Sequence, residues 1–79
     1  MRIDKFLKVS RLIKRRTIAN EACDAGRVMI NGKVVKASAE VKVGDIIEIQ
    51  MGNAPVKAEV TAIMDTTKKE NAAGMYRYI

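Results

Sequence analysis

Residues 8–32 read KVSRLIKRRTIANEACDAGRVMING, and they commit the chain to a helical corner followed by a tight hairpin. Ile18, Ala19, Ala22 and Cys23 recur at helical spacing, which predicts a helix from about Arg16 or Thr17 to Ala25 with those four on its buried face. Their mostly small side chains favour close packing against a neighbour. Gly26 follows where a helix usually stops in the left-handed conformation. Val28 and Ile30 then alternate with Met29, and Asn31-Gly32 is the strongest short signal for a two-residue hairpin turn. Upstream, Ile3, Phe6, Leu7, Val9, Leu12 and Ile13 fall mostly on one stripe, so residues 1–13 predict a first helix, with Asp4 and Lys8 as a favourable i,i+4 pair.

One feature of this stretch works against local stability. Lys14, Arg15 and Arg16 crowd the start of the second helix, where the dipole favours acids over cations by about 0.3–1 kcal/mol each. Asp24 is on the wrong side at the other end. Such violations concentrate at functional sites. The expectation is that a bound anion supplies the missing negative charge, through the basic side chains and the free backbone N–H groups of the helix start. On that reading Arg16 serves binding rather than folding, and Arg16→Ala leaves the fold unharmed or slightly stabilised.

Charge distribution points the same way. The 79 residues carry a net charge of +6, but residues 1–36 hold ten Lys/Arg against three Asp/Glu, while residues 37–79 hold five against six. A basic excess confined to one half implies a polyanionic partner. Arginine is prominent in it, and its planar fork suits phosphate. An anionic membrane is the weaker candidate, because the chain has no Trp and its second helix presents small residues. DNA is disfavoured by the lack of a helix with a row of base-reading side chains. Two short helices and a hairpin give a compact basic face suited to structured RNA read by backbone shape.

Enzymatic chemistry has little to work with. The chain has no histidine, so no nucleophilic triad has its usual base, and its carboxylates show no paired spacing. No phosphate-binding loop, dinucleotide fingerprint or zinc spacing occurs, and no cofactor or metal is expected. Cys23 is the single cysteine and sits on the apolar helix face, which favours plain packing. A lone cysteine fits a reducing cytoplasm, and the charged N-terminus does not resemble a signal peptide. No apolar run approaches the roughly 20 residues that cross a bilayer.

Beyond the hairpin, Val41 and Val43 lead to a Gly44-Asp45 turn and a strand at Ile46–Gln50. A Gly-Asn-Ala-Pro turn at 52–55 precedes a last strand from Val56 to about Met64. In the tail, Thr67 and Glu70 match a capping box for a short helix from Lys68 to Ala73, stopped by Gly74, after which Met75, Tyr76 and Ile79 fold back onto the body. The domain is expected to span 1–64, with 65–79 as a C-terminal tail.

The motifs R-I-D-K-F-L at 2–7, S-R-L at 10–12, R-R at 15–16, A-x-x-A at 19–22, G-R-V-x-I-N-G at 26–32 and V-G-D at 43–45 resemble the S-four domain, the alpha-L RNA-binding motif. The whole chain, including D-T-T-K-K-E-x-A-x-x-M-Y at 65–76, is similar to small bacterial ribosome quality control proteins related to the ribosome-associated heat-shock protein family. The resemblance implies an α+β fold, a two-helix corner packed on a small curved, mostly antiparallel sheet. It implies RNA contact by Arg2, Arg11, Lys14, Arg15, Arg16 and Arg27, with Asn31 and Lys33 at the hairpin, and a role for Asp4 in orienting a neighbouring arginine. The implied partners are rRNA of the large ribosomal subunit, peptidyl-tRNA and an RqcH-type tailing factor, met by a cytoplasmic monomer. A heat-shock-type recycling factor or a general structured-RNA binder is the alternative. Many members of the wider domain have Ser where Arg15 stands, so the second helix is expected to start without a side-chain cap.

Overall fold

In a computed structural model, residues 1–52, 54–64 and 73–79 are described. The first helix, α1, spans Ile3–Val9 and is shorter than the apolar stripe suggested. Ser10 ends it: its N–H donates to the Phe6 carbonyl at 2.8 Å and its hydroxyl to the Leu7 carbonyl at 3.3 Å. Arg11 then turns left-handed, with φ 65°. Leu12 and Ile13 therefore lie in the corner rather than on the helix, although Ile13 is buried and its N–H donates to the Leu7 carbonyl.

The second helix, α2, spans Arg16–Asp24, and its N-cap Arg15 makes no side-chain cap bond. Ala19 and Cys23 are buried and Ala22 is partly so, but Ile18 is 46% exposed and does not belong to the buried face. Nine residues offer one narrow inward stripe at i and i+4, and Ile18 lies about 100° around the axis from Ala19. Gly26 takes the expected left-handed conformation, φ 74°.

The five strands are β1 (Val28–Ile30), β2 (Lys33–Val34), β3 (Ile46–Met51), β4 (Ala54–Val60) and β5 (Tyr76–Tyr78). They form one sheet in the order β2-β1-β3-β4-β5, antiparallel at every pairing. The β1–β2 turn has positive φ at both Asn31 and Gly32, the mirror-image geometry that matches strand twist. One sheet face carries Val28, Ile30, Ile47, Ile49, Ala58 and Val60 into the core, where Ile3, Phe6 and Leu7 of α1 and Ala19 and Cys23 of α2 join them. The other face carries cross-strand ion pairs, Lys57 with Glu48 at 3.6 Å and Arg77 with Glu59 at 2.6 Å.

Three expectations in the second half need correction. The turn expected at Gly44-Asp45 falls one residue earlier, at Val43-Gly44, with Val43 exposed and Val41 buried. Pro55 is inside β4 opposite Gln50, near the strand start where a missing N–H is tolerated, so the turn is tighter than 52–55. β4 ends at Val60, not Met64. The capping box at Thr67 and Glu70 and the helix from Lys68 lie outside the described residues. Met75 is fully buried and Tyr76 partly so, as expected of the returning tail, but Ile79 is exposed.

The chain start is tied down by backbone bonds from Ile3 N–H to the Ala39 carbonyl and from Val41 N–H to the Met1 carbonyl. These fix Arg2 at the mouth of α1, beside the first turn of α2. The strained corner yields a prediction. A non-glycine residue held left-handed costs about 1–2 kcal/mol, partly offset on substitution by the entropy glycine loses on folding. Arg11→Gly is expected to stabilise the fold by up to about 1 kcal/mol, a melting shift of about 4–8 °C, read by thermal denaturation. Arg11→Ala, which keeps the strain, should show no such gain.

Candidate nucleic-acid interface

At the centre of the candidate site is an acid. Asp4 is only 1% exposed, and its carboxylate collects donors from three directions. The Lys5 backbone N–H donates to Oδ1 at 2.8 Å. Arg2 approaches with Nε 3.3 Å from Oδ1 and Nη2 3.3 Å from Oδ2. Arg16 Nε and Asn20 Nδ2 each lie 3.4 Å from Oδ2. The expected Asp4–Lys8 pair does not form. Asp4 sits on the inner side of α1 and Lys8 is exposed, so the carboxylate turns to Arg2 and α2 instead.

This geometry revises the account of the backward charge. Arg16 has an internal counter-charge in Asp4, set beside the first turn of α2. An Arg16→Ala change withdraws a donor from a buried carboxylate, so a small loss of stability replaces the expected neutrality. The Arg16 side chain is half exposed, which keeps the loss small through solvent screening.

Burial pushes the Asp4 carboxyl upward, but the Arg16 hydrogen bond, the Lys5 N–H and the charges of Arg16 and Arg2 outweigh it, and the net shift is down from 3.8. A depressed folded value means the stabilisation is complete above the unfolded value and disappears as pH falls through the folded one. Melting temperature is accordingly expected to drop in acid below pH 4, and Asp4→Asn should flatten that part of the profile.

Around Asp4 lies an open cleft of about 510 Å³ lined by Arg2, Asp4, Arg16, Thr17, Asn20 and Glu21. Thr17 and Asn20 were missed in the sequence reading. Asn20 was within reach of it, since it stands one helical turn after Arg16 on the same face.

All eight basic or polar residues expected at the interface are exposed: Arg2, Arg11, Lys14, Arg15, Arg16, Arg27, Asn31 and Lys33. Arg2 and Arg16 are brought together on Asp4. Arg11, Lys14 and Arg15 ride on the corner between the helices. Arg27 bridges α2 and the sheet through its backbone, its N–H donating to the Ala22 carbonyl and its carbonyl accepting from Gln50. Asn31 differs from the rest because its amide is engaged within the fold. Its Oδ1 accepts from the Ile46 N–H at 3.0 Å and its Nδ2 donates to Asp45 Oδ1 at 3.1 Å. Asp45 in turn accepts from the Lys42 N–H. Asn31 thus locks the hairpin to the 42–46 turn, while Lys33 stands beyond it. Cys23 is buried, and burial together with the charges of Asp4 and Asp24 pushes its thiol up, which keeps it protonated and inert. Among the described residues no cluster of His, Cys, Asp or Glu can hold a metal ion, and no helix is long and apolar enough to cross a membrane.

Residues 1–47 match the model of the S4 domain. The chain is 53% identical over 79 residues to the RQC P-site tRNA stabilizing factor of Streptococcus pneumoniae, covering all of this chain and 90% of that one. It is 58% identical over 76 residues to the protein of the same name from Bacillus subtilis, covering 96% and 88%. A heat shock protein 15 homolog of Haemophilus influenzae is more distant, 32% identical over 82% of this chain and 50% of the other. Among solved structures, the trimeric Vibrio cholerae heat shock protein 15 superposes with a TM-score of 0.91 at 29% identity, covering all of this chain and 81% of that one.

Proposed function

The chain belongs to the S4 domain family, and from that premise we propose that it is an RNA-binding, ribosome-associated factor of bacterial quality control. It binds the large ribosomal subunit that still carries peptidyl-tRNA after a stalled ribosome has split. It contacts rRNA and the tRNA at the P site and so assists C-terminal tailing of the stalled chain by an RqcH-type factor. The supporting observation is the exposed helical corner, where Arg2 and Arg16 are fixed on one buried acid beside Lys14 and Arg15, in a chain similar end to end to P-site tRNA stabilizing factors. RNA contact lies within residues 1–64, and Tyr76–Tyr78 supply the strand at the sheet edge.

The protein works by binding. It has no histidine to serve as a base, and its one thiol is buried and held protonated. It acts in the cytoplasm as a monomer. Recycling of the heat-shock type is the second reading, favoured by the fold likeness but at lower identity and coverage.

Binding that neutralises several phosphates weakens linearly in log salt, by about 0.7–0.9 per phosphate. Titrating isolated large subunits carrying peptidyl-tRNA across salt concentrations should give a slope of several units. A flat dependence would count against phosphate contact. Equal affinity for subunits with and without tRNA would favour the recycling reading.

A further inference from the structure

We infer that Asn31-Gly32 is a self-modification site gated by the fold. When the β1–β2 hairpin opens, the Gly32 nitrogen displaces ammonia from the Asn31 side chain, and the carboxylate formed is repelled by Asp45, so the hairpin no longer closes as before. The chemistry stands apart from the RNA-binding reading, and its test needs no RNA.

Of the four asparagines in the chain, only Asn31 precedes a glycine. A backbone nitrogen reaches the preceding side-chain amide most easily when its own residue has no side chain in the way. Space around Gly32 is open and Asn31 is exposed, so solvent base and water reach both groups. The Gly32 nitrogen gives its proton to solvent base and bonds to Asn31 Cγ. The Cγ–Nδ2 bond breaks, and Nδ2 leaves as ammonia with a proton taken from water. Water then adds to one of the two carbonyl carbons of the cyclic imide, and the ring opens to aspartate or to isoaspartate.

In the closed hairpin the amide is held away from this reaction. Its Oδ1 accepts from the Ile46 N–H at 3.0 Å, its Nδ2 donates to Asp45 Oδ1 at 3.1 Å, and the Asn31 N–H donates to the Ile46 carbonyl at 2.8 Å. Turning Cγ toward the Gly32 nitrogen pulls the amide off the 42–46 turn. Neither product fits the closed form. An aspartate has no N–H for Asp45 and sets one carboxylate against another. An isoaspartate lengthens the backbone inside the two-residue turn that fixes the Met29–Val34 and Ile30–Lys33 register.

Folded protein and the same protein in urea, held at one pH and temperature, should convert at different rates, the folded form at least about tenfold more slowly because opening precedes attack. Mass spectrometry of the tryptic peptide Val28–Lys33 reads the amide-to-acid gain, and Asn20 in Thr17–Arg27 is the internal control. Asn31→Asp should lower the melting temperature by about 4–8 °C, the shift for about one hydrogen bond in a domain of this size. A second substitution supplies a test of sign. Asp45→Asn alone should destabilise the parent, because one amide oxygen cannot accept from both the Lys42 N–H and Asn31. In the Asn31→Asp background it should raise the melting temperature, because the residue 45 amide then accepts from Lys42 and donates to the new acid. If Asn31→Asp alone fails to fold, the two rates on the unsubstituted chain and the rescue by Asp45→Asn decide. Conversion as fast in the folded protein as in urea, no conversion of Val28–Lys33 in urea, Asn31→Asp melting with the parent, or Asp45→Asn lowering both backgrounds alike would overturn the inference.

Discussion

An Arg2→Ala/Arg16→Ala double variant is expected to bind tRNA and large subunits at least about a hundredfold more weakly while remaining folded. Charge-assisted hydrogen bonds contribute about 1.5–3 kcal/mol each, so losing one from each arginine costs about 3 kcal/mol or more, which is two or more decades in affinity. The fold suffers too, because a buried carboxylate loses both its cations. Stripping a partner from a fully buried pair costs about 3–5 kcal/mol. Here the arginines are half exposed and Asp4 keeps its bonds from Asn20 and the Lys5 N–H, so about 1–3 kcal/mol is the expected range. The two readouts are separable: binding is measured below the lowered melting transition, and circular dichroism verifies helix content there. A double variant that binds within threefold of the parent would show that the Asp4 cluster is structural only.

Phe6→Ala should do the opposite, removing the fold first and binding only as a consequence. Phe6 is the largest fully buried side chain, in the helix that faces the sheet. Truncating a buried Phe typically costs about 3–5 kcal/mol. A 79-residue domain has a total stability of about 4–12 kcal/mol. The variant is therefore expected to lose about a quarter or more of its stability, with a melting transition at least about 12 °C lower. Its remaining folded fraction should still bind RNA, since no phosphate-facing group has changed. Near-parental stability would mean that the corner rests on the sheet through residues other than Phe6.

The two largest effects differ in how visible they were in the sequence. The core was visible as periodicity. Val28, Ile30, Ile47 and Ile49 alternate, Ile3, Phe6 and Leu7 share a stripe, and Asn31-Gly32 closes the hairpin as its local chemistry requires. The end of α1 was not visible. Ser10 and Arg11 are unexceptional by propensity, and only tertiary packing forces Arg11 left-handed so that Ile13 can enter the core. Ile18 was misplaced because a pattern of four apolar residues does not say which of two neighbouring stripes faces inward. The interface shows the same division. Its residues announce themselves by charge and by family motif. The pairing of Arg2 and Arg16 on Asp4 spans up to twelve positions in the chain and depends on how α1 crosses α2. The local rule paired Asp4 with Lys8. Asn31 is expected at the RNA from its motif, and only the bonds to Ile46 and Asp45 reveal its structural role.

The most direct test of the account is crosslinking of the protein to RNA in living cells, followed by sequencing of the attached fragments. The account predicts fragments from large-subunit rRNA and from tRNA together, enriched when ribosomes are made to stall and lost in the Arg2→Ala/Arg16→Ala variant. Fragments drawn mainly from small-subunit rRNA or mRNA, or a pattern unchanged by the double substitution, would contradict it.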